Sequence, residues 1–173
     1  MGNESTLALL VAKQAITEQL ANYARAMDRC DHALGYSVFY ADAEADYGDM
    51  FKGSGHGFVD WALRSHMTML THSHHISNML IKVDGDWAAS ETCVTMMCRI
   101  AGADGALQDL RSIGRYVDRW QNREGQWRIA HRKYVHGFDD SWPVTRAAFP
   151  IEGRRDGEDI SYGVFNAIRP PRA

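Results

Sequence analysis

The spacing of apolar residues changes once along this chain, and the change falls near residue 76. Before it, apolar positions recur every three or four residues; after it, extended runs alternate with turn signals. Leu9, Ala12, Ile16, Leu20, Tyr23 and Met27 form one stripe, so residues 5 to 30 predict a single long helix with Ser5 as its N-cap. A short second helix is expected from His32 to Tyr40, followed by a Gly48-Asp49 turn into Met50-Phe51-Lys52. A third is expected from His56 to Leu70, with Phe58, Trp61, Ala62, Ser65 and Met69 on one face. Beyond it, Ile76 to Val83, Trp87 to Ile100, Leu107 to Trp120 and Gln126 to Phe138 read as strands. Asp84-Gly85-Asp86, Gly102 to Gly105 and Asn122-Arg123-Glu124-Gly125 separate them as hairpin turns. Helices first and an antiparallel meander after predict an α+β fold, with the helices on one face of a curved sheet.

Composition narrows the function classes. A chain of 173 residues that is 45% hydrophobic can build one domain with a real core. A net charge of −3 offers nothing to draw nucleic acid or an anionic membrane. No apolar run is long enough for a membrane-spanning helix, and Met1 to Ser5 lacks the pattern of a secretory leader. Cys30, Cys93 and Cys98 are odd in number and irregular in spacing, which fits reduced thiols in a cytoplasmic protein. Gly53-Ser54-Gly55-His56-Gly57 lacks the lysine and preceding parallel strand of a phosphate loop. Residues 1 to 140 are expected to form the domain. Residues 141 to 173, with Pro143, Pro150, Pro170, Pro171 and the charged run Glu152-Gly153-Arg154-Arg155-Asp156, form a tail without its own core, expected to lie across the domain or a neighbouring subunit.

The chemistry-bearing candidates are histidine and carboxylate. His74, at the mouth of a strand, is a candidate general base, because an imidazole titrates near working pH. Asp28 closes the first helix and would hold that imidazole in one tautomer. Strand alternation turns His75 to the opposite face, and His72 is expected at the rim. Three histidines within four residues also raise a metal, but neighbours on a strand diverge, and no cysteine or carboxylate stands at ligand spacing, so none is expected. Tyr23 is either an acid or anion donor or a core tyrosine. Five helical residues turn through about 140°, so Tyr23 and Asp28 share a cavity only if the helix frays or the pocket wraps it. A buried Arg132 must be paired, with Asp28 or a developing anion as the obvious partner; period two would bring Ala130 and Tyr134 inward with it. Phe58, Trp61, Met69, Met96 and Tyr116 would either line an apolar pocket or fill a plain core.

Four stretches carry a family resemblance: Tyr23-Ala24-Arg25-Ala26-Met27-Asp28; His74-His75-Ile76-Ser77-Asn78 with Val83-Asp84-Gly85-Asp86; Gly114-Arg115-Tyr116-Val117-Asp118-Arg119-Trp120; and Gly125-Gln126-Trp127-Arg128-Ile129-Ala130-His131-Arg132. Over roughly residues 5 to 140 the chain resembles the SnoaL-like family of the nuclear transport factor 2 fold superfamily. Within it, the chain is similar to the branch holding hexachlorocyclohexane dehydrochlorinase, scytalone dehydratase and bile-acid 7α-dehydratase. That resemblance implies a cone-shaped fold and a cofactor-free elimination through an Asp–His dyad. Asp28 matches the dyad carboxylate; His74, four residues before Asn78, matches its base. Tyr23 matches a tyrosine five residues ahead of the carboxylate in the bile-acid enzyme, where the dehydrochlorinase has lysine, and Arg132 matches an arginine of the last strand. The leading expectation is a cofactor-independent dehydratase or related lyase for a small apolar cyclic substrate. A tyrosine can protonate a leaving hydroxyl, whereas halide leaves without a proton. The alternatives are a non-catalytic scaffold or binding subunit, as in dioxygenase β subunits, and an isomerase of the ketosteroid type, for which no carboxylate pair stands out. A homo-oligomer, trimer or dimer, built on the convex face of the sheet is also expected.

Overall fold

The computed structural model describes residues 2–145 and 149–168, so Pro170 and Pro171 of the tail lie outside the described residues. The elements run α1 (Gly2–Arg29), α2 (His32–Val38), β1 (Phe39–Asp46), β2 (Lys52–Ser54), α3 (Gly55–His66), β3 (Thr71–Asp84), β4 (Trp87–Ala101), β5 (Leu107–Arg123), β6 (Gln126–Pro143) and α4 (Ile160–Asn166). One sheet takes the order β2-β1-β6-β5-β4-β3. It is antiparallel except where β1 runs parallel to β6. The sheet curls without closing, and the helices cover its concave side. Ile16, Leu20 and Met27 of α1, Leu63 of α3, Trp120 and Ile129 of the sheet, and Val38 and Phe39 between them are fully buried in one core. No helix among the described residues is long and apolar enough to cross a membrane.

The first helix starts at Gly2, so Ser5 lies within it and is not its N-cap. The later strands run on past their expected ends, to Ala101, Arg123 and Pro143. Three further boundaries differ from the sequence expectation, each for a tertiary reason. The second helix stops at Val38 rather than Tyr40, because Phe39 turns extended and pairs with Ile129 of β6. Two strands therefore precede the meander. The third helix starts at Gly55, with the Ser54 hydroxyl accepting from the Gly57 amide at 3.1 Å, and ends at His66 rather than Leu70. There the Thr68 and Met69 amides fold back on the Ser65 and His66 carbonyls, and the Leu70 amide already bonds to Arg99 of β4. The first meander strand starts at Thr71 rather than Ile76, so His72, His74 and His75 are paired strand residues opposite Cys98, Met96 and Thr95.

Two irregularities aim the inner face. Ala130 is an extra residue in β6, lying between the pairs Trp120↔Ile129 and Arg119↔His131. Trp127 and Ile129 face the core before it, and the phase then resets so that Arg132 and Tyr134 face inward. Ala130, expected inward beside Arg132, sits in this bulge instead. A second bulge, with Gly137 as the extra residue, falls between the pairs Ile113↔Phe138 and Gly114↔His136. A side chain at Gly114 would meet the Tyr134 ring at 2.5 Å, so the glycine lets that ring lie flat against the strand.

The tail returns to the helices. Arg25 donates to the Ser161 hydroxyl at 3.0 Å and lies 4.7 Å from the Tyr162 ring. Tyr162 donates to Asp31 at 2.9 Å. Arg155 donates to the carbonyl of His66, at the end of α3, at 2.7 Å.

Candidate active site

Asp28 occupies the last turn of α1, where the helix packs on the start of β3. Its carboxylate accepts the His74 backbone amide at 2.9 and 3.1 Å and contacts His74 Nδ1 at 2.7 Å. Both side chains are largely buried, 14% and 6% exposed. A carboxylate accepts only, so Nδ1 carries a hydrogen; of the two neutral tautomers, the contact selects the one whose lone pair is on Nε2.

His74 forms part of the wall of a cavity of about 230 Å³ between α3 and the concave sheet. Phe58, Trp61, Met69, Met96 and Tyr116 line it too, as does Tyr23. Asp28 stands behind His74 and does not line it. That settles the geometric tension on α1: the helix continues to Arg29, Tyr23 faces the cavity, and Asp28 reaches it only through the imidazole. A wider groove of about 580 Å³ against β1 and β2 shares no residue with this cavity and has Asp42, Glu44, Asp46 and Lys52 in its wall.

The phenols form a second group. Tyr23 and Tyr47 hydroxyls stand 3.1 Å apart, and the Tyr47 ring stacks on Phe58 at 3.8 Å between centroids. Burial pushes Tyr47 and Tyr116 well above the ordinary phenol range, against the opposing charge of Arg132, so both remain hydrogen-bond donors.

Arg132 is fully buried, and its partner is Asp118 and not Asp28. Nε and Nη2 both meet the Asp118 carboxylate at 2.7 Å. The two residues face each other across β5 and β6, a pairing that brings charge to charge on the inner face. The guanidinium is sandwiched between the Tyr23 and Tyr116 rings, 4.2 and 4.0 Å from their centroids. It lies behind the phenols and does not line the cavity.

The other histidines need correction. His72 is not at the rim: it is buried, and its Nε2 donates to the Met27 carbonyl at 2.8 Å. His75 is exposed on the opposite face. Asn78, part of the motif match, is exposed at a bulge with φ 48° and is not part of the cavity wall. His66 was missed. It is buried at the end of α3, lines the cavity, and places its ring 5.3 Å from that of His74 and 4.4 Å from that of His72. The signal was its place four residues after Ala62 and eight after Phe58, on the apolar face of the helix. Among the described residues no group of three or more His, Cys, Asp or Glu side chains is placed to hold a metal ion.

Burial, then the neighbouring His74 and His72, push His66 down from 6.5 to about 3. This depressed value sets a direction for stability. Between pH 6.5 and 3 the unfolded chain binds a proton at this position that the folded chain refuses, so stability is complete above pH 6.5 and declines as pH falls. At pH 4.5 the loss from His66 is expected to reach about 3 kcal/mol. Urea unfolding at pH 7 and pH 4.5 checks it: His66→Gln should flatten the pH dependence, and an equally steep decline in that variant would assign the effect elsewhere.

A curled sheet closed by N-terminal helices over an apolar cavity defines an α+β protein of the nuclear transport factor 2-like class. The chain belongs to the SnoaL-like domain family, whose model matches residues 9–133. No curated protein matches the sequence. Among solved structures it is similar to a provisionally named scytalone dehydratase of Novosphingobium aromaticivorans, with 26% identity and a TM-score of 0.67 over 83% of this chain and 95% of that one. It is also similar in fold to a type 2 hexachlorocyclohexane dehydrochlorinase, with 17% identity and a TM-score of 0.72 over 86% and 99% of the chains. The β subunit of a provisionally named aromatic-ring-hydroxylating dioxygenase of N. aromaticivorans shares the fold at 19% identity and a TM-score of 0.60, over 75% and 91%.

Proposed function

We propose that this protein is a cofactor-independent lyase, of the dehydratase type, for a small, largely apolar cyclic substrate. The observation that carries the reading is the 2.7 Å contact between Asp28 and His74 Nδ1 at the wall of an apolar cavity. His74 Nε2 takes a proton from a carbon next to an activating group. Asp28 fixes the tautomer that makes Nε2 the base and stabilises the imidazolium that forms. The Tyr23–Tyr47 pair donates to the departing hydroxyl or to the developing anion, which favours loss of water over loss of halide. Arg132 acts from behind the rings, holding Tyr23 and Tyr116 in place. A scaffold subunit has no use for a buried imidazole–carboxylate pair against an open cavity, so the binding-subunit reading ranks second.

Scytalone and hexachlorocyclohexane, the compounds named for two of the similar proteins, are the first substrates to assay. Turnover of either by the wild type is expected to fall about 10²- to 10⁴-fold in His74→Ala. Undiminished turnover by that variant would remove His74 as the base.

A further inference from the structure

At 3.6 residues per turn, α1 presents two opposite faces. Ala12, Ile16, Leu20, Tyr23 and Met27 form the buried one. Opposite them Leu7, Val11, Gln14, Glu18, Arg25 and Arg29 follow at intervals of three, four or seven residues, one line along the outside of the helix. The start of that line is apolar and bare. Leu7, Leu10 and Val11 are 63%, 58% and 60% exposed, within a run Leu7-Ala8-Leu9-Leu10-Val11-Ala12 that has no polar side chain. A shallow groove lies beside Leu10, Val11 and Ala15. The far end of the line carries α4. Arg25 donates to Ser161 and lies over the Tyr162 and Phe165 rings, so α4 is tied down by that side. Its other side, Ile160, Gly163 and Val164, faces out, with Ile160 83% and Val164 62% exposed, and no residue of α4 is buried. A side chain at Gly163 would meet nothing, so the packing of this chain gives no reason for a glycine inside the helix, where it costs stability.

We infer that these two faces are covered by a second copy of the chain: the first turns of α1 in one protomer pack on α4 of its partner, and the reverse contact closes the pair. Both faces lie on the outer side of one helix, about 27 Å apart from Leu7 to Arg25. A partner that covers both at once needs the same two faces at the same spacing in the opposite order. A second copy with its α1 antiparallel has them by symmetry, and a two-fold contact leaves neither face over. Neither residues 7–12 nor α4 holds a charged residue, so nothing in them pairs with a charged peptide, a nucleic acid or a lipid headgroup. Gly163 then lets the partner's helix come close to the backbone of α4. The middle of the face is polar, Gln14 bonding to Glu18 at 2.9 Å, so the apolar contact is made at the two ends. Engaging both ends doubles the area covered, toward the roughly 800 Å² per partner of a stable interface. None of these residues lines the cavity, so the pairing is independent of the proposed reaction.

The test is the mass in solution, measured by sedimentation velocity on the full chain at micromolar concentration. The wild type is expected at twice the 19.5 kDa of one chain. Val11→Glu and Val164→Lys should each weaken the pair about 10-fold or more, because each sets a charge against an apolar face at both contacts. An equal mixture of the two variants should restore the dimer. One contact then sets a carboxylate against an ammonium, and the other keeps the native valines. A misfolded variant is not rescued in this way. A wild type that is monomeric or trimeric overturns the proposal. A dimer that survives either substitution also overturns it and moves the contact to another face, such as the convex side of the sheet. A mixture that stays monomeric removes the pairing of α1 with α4. A monomer that floats with vesicles of phosphatidylcholine and phosphatidylserine assigns both faces to a membrane surface and likewise overturns the proposal.

Discussion

Asp28→Asn is expected to lower turnover by about 10²- to 10⁴-fold while leaving the fold intact. The reason lies in what one amide can and cannot copy. The Asp28 carboxylate receives two donors, the His74 backbone amide and the His74 ring N–H. Both donors converge on Oδ1, and the backbone amide reaches Oδ2 as well at 3.1 Å. An asparagine oxygen in the place of Oδ1 can accept both and keep the ring where it is. What the asparagine cannot copy is the negative charge that stabilises an imidazolium at His74. Its NH₂ group would also face the His74 backbone N–H, donor against donor. Steady-state kinetics on any substrate the wild type converts, with a melting curve alongside, checks this. A variant with unchanged rate would take Asp28 out of the mechanism; one that has lost its fold would show that Asp28 mainly holds α1 to β3.

The largest stability effect is expected at the Arg132–Asp118 pair. Both side chains are wholly out of solvent. Removing one partner strands the other charge in the core, at a cost of about 3–5 kcal/mol. For a chain of this length that corresponds to a melting temperature lower by roughly 6–20 °C. Asp118→Leu should show it in thermal unfolding. Pairing it with Arg132→Met, which removes the stranded charge, should restore most of the loss. If the double variant is no better than the single, the pair is held by packing against Tyr23 and Tyr116 rather than by charge. A fall of less than 1 kcal/mol in Asp118→Leu would show that the guanidinium finds water or another partner.

Much of the cavity was legible in the sequence, because residues that line one face of a helix or strand repeat with that element's own period. Phe58 and Trp61 on α3, Met69 in the turn after it, and Met96 and Tyr116 on neighbouring strands all reach it. What could not be read was set by register between distant segments. The partner of Arg132 depends on how β5 slides against β6, although the alternation of Gly114, Tyr116, Asp118 and Trp120 already put Asp118 on the inner side. β1 has only a weak pattern of its own and becomes a strand by pairing with β6. His72 reads as a rim residue, and its burial follows from the meeting of α1, the end of α3 and the start of β3, which no local spacing encodes. His66 had only its place on the apolar face of α3 to mark it.

The parallel pairing of β1 with β6 also bears on the order in which the protein can be completed. Phe39 waits for Ile129, and Ala45 for Arg132, across most of the chain. At ribosomal speeds of about 5–20 residues per second, the three helices spend roughly 5 to 20 s with their apolar stripe uncovered by the central strands. The pairing is non-local, so it comes late and slowly even after the strands exist. Asp28 and His74 are synthesised early, yet the wall opposite them is built from the last strands made. The nascent chain thus carries His74 and Asp28 well before it has the cavity wall that faces them, and in that interval its exposed helical stripe is what a chaperone would meet.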